Sequence, residues 1–276
     1  MLIKHPYEIK DTILKIDNIS LSLGGKLILN QVNAEIKDLV RPNIEQGQIV
    51  GFLGPSGIGK TKLFEIMAGL QQPDSGQVLI GTSLKPVKPG SMGVVQQSYP
   101  LFNHRTVKSN LEIAARKGNI PQTERTKRIN DLLVRFKLQQ QANQYPAQLS
   151  GGQRQRIAIA QQLLCSDGFL LLDEPFSGLD IIMIETLSQL LIEIAQQHEH
   201  RTIIIVSHDI ESTAAIADTL WLMGRNFTEQ GQPIDGSHIK YTFNLVELGL
   251  AWQQNIIAQP EFHDLVNEVR GLFKKL

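Results

Sequence analysis

The residues Gly54-Pro55-Ser56-Gly57-Ile58-Gly59-Lys60-Thr61 fit the pattern GxxxxGK[ST]. In this pattern glycines let the main chain curl so that successive N–H groups face phosphate oxygens. Lys60 would reach the β- and γ-phosphates, and the Thr61 hydroxyl would ligate Mg²⁺. A helix beginning here would add its positive end to the same anion. A second chemical pattern lies far downstream, where the apolar run Phe169-Leu-Leu-Leu ends in Asp173-Glu174-Pro175. Such a strand end would set Asp173 near the metal and leave Glu174 to polarise an attacking water.

The surrounding sequence supplies elements able to position these groups. IVGFLG reads as a buried strand that delivers the chain into the glycine loop, and TKLFEIMAGL, with Leu63, Ile66, Met67 and Leu70 at helical spacing, reads as the helix leaving it. Before them, residues 14–36 alternate apolar and polar around Gly24-Gly25, which predicts an antiparallel hairpin. Between Ile36 and Gly47 the segment is polar, with a proline and a glycine, and reads as a linker. PDSG at 73–76 predicts a turn into the strand QVLIG, and residues 98–164 read mostly as helices. FLLLD and TIIIVS, separated by the helical pattern IIMIETLSQLLIEIAQQH, are what a parallel sheet with crossover helices produces. Near the end Phe262, Leu265, Val266, Val269 and Phe273 share one helical face, opened by Pro260-Glu261 and closed by Lys274-Lys275.

Composition narrows the class. Hydrophobic residues make up 42% of the 276 and charged residues 20%, so the chain can bury a core and is not of disordered type. Lys+Arg and Asp+Glu both number 27, which gives no electrostatic support for a nucleic-acid partner. The single cysteine, Cys165, allows no internal disulfide, suits a reducing compartment and reads as a small buried side chain. No apolar run approaches the roughly 18 to 20 residues that cross a bilayer, and MLIKHPYEIKD lacks a signal peptide's apolar stretch. The expectation is a soluble chain with room for a membrane-embedded partner.

Leu149-Ser150-Gly151-Gly152-Gln153-Arg154-Gln155-Arg156 resembles the signature sequence of ATP-binding cassette (ABC) proteins, and the resemblance extends over about residues 14–225. It implies a P-loop NTPase core (RecA-like, α/β) with an N-terminal antiparallel β-subdomain, together at about 12–97 and 166–224. To these are added an inserted α-helical subdomain at about 98–165 and a C-terminal extension at about 225–276. In that family two nucleotide-binding domains pack head to tail, so Ser150, Gly151, Gly152 and Gln153 would contact the γ-phosphate held by a second copy. Gln97 resembles the Q-loop glutamine that senses Mg²⁺ and the attacking water; Gln96 is the adjacent candidate, and spacing to Leu101-Phe102 favours Gln97. Ser177-Gly178-Leu179-Asp180 resembles the D-loop, and His208 resembles the switch histidine that contacts the γ-phosphate.

The resemblance therefore implies an ATPase with ATP and Mg²⁺. Nucleotide would be held by Gly54, Pro55, Ser56, Gly57, Ile58, Gly59, Lys60, Thr61 and Lys62, the metal by Thr61, Gln97 and Asp173, and catalysis carried by Glu174, His208 and Gln97. Implied partners are a second ATP-binding subunit, transmembrane permease subunits and, for import, a substrate-binding protein. The implied place is the cytoplasmic face of the inner membrane, as a peripheral subunit. Import is slightly favoured, because NLVELGLAW and the closing helix loosely resemble tails of nitrate- and sulfonate-type importer ATPases. GPSGIGKT also occurs in lipid-trafficking ATPases, so export and lipid transfer stay open. So do a soluble non-transport ATPase of the family and a regulatory module without turnover.

The chain departs from the family pattern in several places. Leu23 stands where an aromatic side chain usually stacks on adenine, and losing a stack costs about 1 kcal/mol; Tyr7, on the N-terminal arm, is a candidate substitute. The 37–46 segment is an insertion that reads as a surface loop or an added partner contact. Lys62 after Thr61, and Gln161 where the family commonly has Arg, touch none of the catalytic roles named above.

Overall fold

The computed structural model describes residues 5–42, 44, 46–166, 168–196 and 201–276. The chain begins with β1 (Glu8–Leu23) and β2 (Lys26–Val40), then β3 (Gln48–Leu53) leads through the glycine loop to α1 (Lys60–Met67). Three short strands follow: β4 (Ser75–Ile80), β5 (Lys85–Pro86) and β6 (Gly93–Val95). Helices α2 (Val107–Lys117), α3 (Gln122–Arg135) and α4 (Gly151–Cys165) come next, before β7 (Phe169–Asp173), α5 (Ile181–Ala195), β8 (Thr202–Ser207) and α6 (Ile210–Ala214). The chain closes with β9 (Thr219–Phe227), β10 (Pro233–Asn244) and α7 (Pro260–Phe273).

All ten strands form one sheet in the order β5-β4-β1-β2-β10-β9-β3-β8-β7-β6. The run from β9 to β6 is parallel, and β3 and β8 are buried along their whole length, which is why IVGFL and TIIIV carry no alternation. The other strands pair antiparallel, apart from a parallel contact of β10 with β2 at Ser237 and Leu29. The Gly24-Gly25 hairpin forms as expected, because both glycines sit at positive φ, 58° and 78°, in the tight turn.

The segment read as a linker differs. Strand β2 continues to Val40, pairing Lys37 with Thr12, Leu39 with Ile9 and Val40 with Glu8. Ile36 and Leu39 are buried while Lys37 is exposed, and a register shift in the β1–β2 ladder absorbs their three-residue spacing. Asn43 and Glu45, later in the same segment, lie outside the described residues, as do Gln197 and His198 of the pattern that α5 continues.

Helices α2 and α4 pack around Leu111, Ala114, Ala115, Ile157 and Leu164, in a cluster that reaches the sheet at Val95, Leu170 and Leu172. The opposite face of the sheet is covered by α1, through Leu63, Phe64 and Met67, and by the hairpin strands. A third cluster joins α7 to Leu53, Leu220 and Leu222. Among the described residues no helix is long and apolar enough to cross a membrane.

Candidate active site

The parallel register brings the chemical groups together. Leu53 pairs with Ser207, and Asp173 pairs with Val206, so β3, β7 and β8 end side by side. The glycine loop, Asp173-Glu174 and Ser207-His208 therefore leave the same edge, outside the carboxyl ends of parallel strands where open α/β sheets hold ligands.

In the loop, Gly57 and Gly59 have φ of 77° and 102°, in the left-handed region that favours glycine. A Cβ on Gly59 would also lie 3.1 Å from Ile28 and 3.2 Å from Leu29. Ser56 and Gly57 are exposed at the tip, between Pro55 and Ile58. The first turn of α1 has no acidic residue and no side-chain cap, so its N-terminal amides are available to an anion. Thr61 is exposed on that turn. Lys62 points along the helix, with Nζ 2.6 Å from Glu65.

Lys60 is buried and its Nζ donates to the carbonyls of Gly54 at 2.7 Å and Pro55 at 3.1 Å. Its ammonium stands 4.0 Å from Glu174. Burial lowers the Lys60 pKa, and Glu174 and Asp173 oppose the shift. Asp173 is pushed up by desolvation and then by Glu174, with Lys60 pulling it down and Glu65 adding to the rise. An excess of carboxylate over cation at this edge favours a bound divalent ion. Among the described residues no group of three His, Cys, Asp or Glu could hold a metal unaided. Mg²⁺ is usually bound through one or two protein ligands plus substrate phosphates, and Asp173 is the carboxylate at this edge suited to that role.

Glu174 is the most constrained acid of the edge. It sits at φ 48°, a costly conformation for a non-glycine residue, and its amide donates to the Val206 carbonyl at 2.8 Å. One carboxylate oxygen accepts from Ser207 Oγ at 3.1 Å and from the His208 amide at 3.3 Å, and lies 2.9 Å from His208 Nδ1. With Nδ1 so engaged, Nε2 of the largely exposed His208 ring is left for a ligand. Gln97 is exposed just beyond β6, and its amide reaches Ser177 Oγ at 3.4 Å. Tyr99, close by, has its phenol pushed up to about 12 by burial and by Asp173.

Sequence reasoning passed over Ser207, although it precedes His208 at a strand end and strand-end hydroxyls commonly orient a neighbouring acid. It also passed over Gln155, buried and donating to the Pro175 carbonyl at 2.6 Å, which ties α4 to the turn after Glu174.

The signature residues stand apart from this edge. Ser150 caps α4, accepting from the Gln153 amide at 3.3 Å, while the Gln153 side chain accepts from the Ser150 amide at 2.9 Å. Gly151 is open to solvent, and Gly152 lies against Met183, where a Cβ would come within 2.6 Å of its methyl. Asp180 caps α5 by accepting from the Met183 amide at 2.9 Å, and Ile181 and Ile182 beside it are 76% and 74% exposed. Tyr7 lies at the far end of the hairpin from Leu23, packed edge-on against Trp252, so it is no substitute for an adenine stack.

Comparison with known proteins agrees with this geometry. The ABC transporter family model matches residues 38–177. The chain is 38% identical to the sulfate/thiosulfate import ATP-binding protein CysA of Pectobacterium atrosepticum, over 80% of this chain and 67% of that one. It is 36% identical to the protein of that name from Gloeobacter violaceus, over 92% and 73%, and 35% identical to the one from Synechocystis, of which it spans 59%. Among solved structures it superposes on cbiO1 of Clostridium perfringens, described as part of an ABC transporter complex, with a TM-score of 0.72 and 26% identity over 97% of this chain and all of that one. It also superposes on a dimeric post-hydrolysis ATP-binding cassette bound to ADP and Pi, with a TM-score of 0.66, 26% identity, and coverage of 84% and 99%. The chain belongs to the ABC transporter family, and it is an ATP-binding, ATP-hydrolysing protein of the P-loop α/β fold.

Proposed function

We propose that this chain is the motor of a membrane importer, in which two copies close head to tail on two ATP molecules and hydrolysis reopens them. The observation that carries the reading is the clamp on Glu174. An acid fixed by Ser207 and His208, and 4.0 Å from the lysine of the phosphate loop, is built to act on a water beside a γ-phosphate.

In this reading Gly54 to Lys62 hold the nucleotide, with main-chain amides and Lys60 on the phosphates. Lys60 would exchange the Gly54 and Pro55 carbonyls for phosphate oxygens. Thr61, Asp173 and Gln97 would hold Mg²⁺, which would neutralise charge developing on the phosphates. Glu174 takes the proton of the attacking water, and His208 faces the γ-phosphate with Nε2, which donates there when both ring nitrogens carry a proton. Ser150, Gly151, Gly152 and Gln153 complete the site of the second copy, and Asp180 lies at the seam with the exposed Ile181 and Ile182.

Residues 98–165 would act as the helical subdomain that carries the signature. A cleft lined by Leu70, Met92, Val94, Pro100 and Gln162 lies where that subdomain meets the core, and it is suited to a segment of a transmembrane permease. Import is supported by the names of the relatives and by the tail resemblance, and the same reading adds a substrate-binding protein as further partner and a peripheral position on the cytoplasmic face of the membrane. Cargo would be selected by the other subunits. Isolation from membranes tests the assembly, with a co-purifying permease expected and ribosomes or DNA in its place counting against it.

A further inference from the structure

The segment that carries His208 is short and poorly able to hold itself. Helix α6 has five residues, too few to be stable without packing. It is tied to the catalytic acid, since Asp209 caps it by accepting from the Ser212 amide, the Asp209 amide donates to Ser207 Oγ at 3.0 Å, and Ser207 Oγ donates to Glu174. A shift of α6 would therefore move both groups that clamp Glu174.

Thr213 of α6 is buried against Gly51 of β3, and the outer side of the segment is held by residues 245–276. Ala214 and Ala217, with Ile210 beside them, pack in one cluster with Phe262, Leu265, Val266 and Val269, four side chains on a single face of α7. Arg270, next on that helix, places its guanidinium 2.9 Å from the Glu211 carboxylate, three residues past His208. At the other end of the segment, the buried Asp218 carboxylate accepts from the Ile49 amide at 2.7 Å, and the Asp218 carbonyl accepts from the Leu245 amide at 2.9 Å. The indole of Trp252, which is in the same stretch as Leu245, stands beside Asp218 and is covered by Arg41, whose guanidinium carbon lies 4.6 Å from the ring centroid. Arg41 is fixed in turn by Gln46 at 2.9 Å and by His5 at 3.3 Å, and Tyr7 meets the indole edge. The N-terminal arm, the 37–46 insertion and the C-terminal extension thus converge on one joint.

We propose that residues 245–276 brace the switch segment 207–218, with Arg270 and Trp252 as positioning residues for His208. β3 shares the α7 cluster at Leu53, but the phosphate loop itself packs on Ile28, Leu29 and Met223, which lie outside that cluster. Loosening the brace should therefore slow hydrolysis while leaving ATP binding in place. The inference rests on the reading of His208 and Glu174 given above.

The test is steady-state ATPase kinetics and ATP affinity of the purified full chain. Arg270→Glu, which sets two carboxylates against each other, is expected to lower kcat about five-fold with KM and ATP affinity within about two-fold, as suits a partly exposed pair. Adding Glu211→Arg should bring kcat back to within about two-fold of the starting protein. Trp252→Leu should also lower kcat selectively; if it does not fold, the Arg270→Glu and Glu211→Arg pair decides alone. The proposal is overturned if kcat is unchanged in folded Arg270→Glu, if Glu211→Arg does not restore it, or if kcat and ATP affinity fall together. His208→Ala, measured alongside, separates the two ideas: full activity there would sink the site reading itself, whereas its loss with an unaffected Arg270→Glu would sink only the brace.

Discussion

The two ends of the ATP machinery are built differently. At the sheet edge, Lys60, Glu174, Ser207 and His208 engage one another at 2.9–4.0 Å, and all but the His208 ring are largely shielded from water. At the start of α4, the side chains of Ser150 and Gln153 each accept from the other's amide, Gly151 faces solvent and Ile181 and Ile182 stand exposed nearby. One half is organised within the chain and one is prepared for something outside it. A helix start capped by its own side chains costs little to keep without a partner, whereas a strained acid at φ 48° persists only where its surroundings fix it.

The sharpest way to break this contrast is to neutralise the organised half. Glu174→Gln keeps shape and the hydrogen bond from Ser207 but removes the base. Hydrolysis should fall about 100-fold or more, the usual scale for a general base, while ATP affinity stays within about three-fold. ATP turnover with retained nucleotide binding measures this, and near-normal turnover would remove Glu174 from the mechanism. The same variant should accumulate ATP-bound dimers in gel filtration.

Breaking the outward-facing half should have a smaller but still large effect of another kind. Ser150→Arg fills the space above Gly151 without touching any bond of the sheet edge, so single-chain ATP affinity should be unchanged. Turnover should fall about ten-fold or more and the Glu174→Gln dimer should not form, because steric and charge conflict at an interface costs several kcal/mol. A Ser150→Arg protein that dimerises and hydrolyses normally would end the trans role.

The organised half was also the more legible one in the sequence. Gly54–Thr61 and FLLLDE state their chemistry locally, since glycine spacing and a strand ending in acids each have one physical use in that context. What pairs with them was not legible where it depends on register. Ser207 becomes a donor to Glu174 only because Asp173 aligns with Val206. The extension of β2 to Val40 was hidden because a bulged strand loses the period of two that marks it, and Arg41 and Pro42 look like turn residues. Residues 228–259, which carry no local pattern, became strand β10 and the turns around Trp252, both fixed by long-range contacts to β9 and Asp218, whereas the closing helix was legible from its apolar face.

Behind the organised half, Asp218 gives a pH signature that the outward-facing half lacks. Burial raises its pKa to about 7, against the opposing influence of the Ile49 amide, Trp252 and Arg41. A carboxyl whose folded pKa exceeds its unfolded value of about 3.9 binds more protons when folded, so stability falls as pH rises from about 4 to about 7. Asp218→Asn keeps an acceptor for the Ile49 amide and removes the titration. Urea unfolding at pH 5 and pH 8 should show the wild-type chain losing on the order of a few kcal/mol across that interval beyond what the variant loses. Equal pH slopes in the two proteins would mean that Asp218 is charged throughout.

The smallest expected effect concerns the base of the nucleotide. Leu23 is 41% exposed at the hairpin tip, five residues before Ile28, which touches the glycine loop at Gly59. A side chain there can lie flat on a base held by that loop, but an aliphatic one supplies contact without a π-stack. Leu23→Tyr should therefore strengthen ATP binding by about 1 kcal/mol, or roughly five-fold in Kd. It should leave kcat alone, because nothing in the Glu174 clamp touches the hairpin tip. Fluorescent-nucleotide titration of both proteins reads this directly: unchanged affinity would move the adenine away from the hairpin, and a change in kcat would tie the tip to the catalytic edge after all.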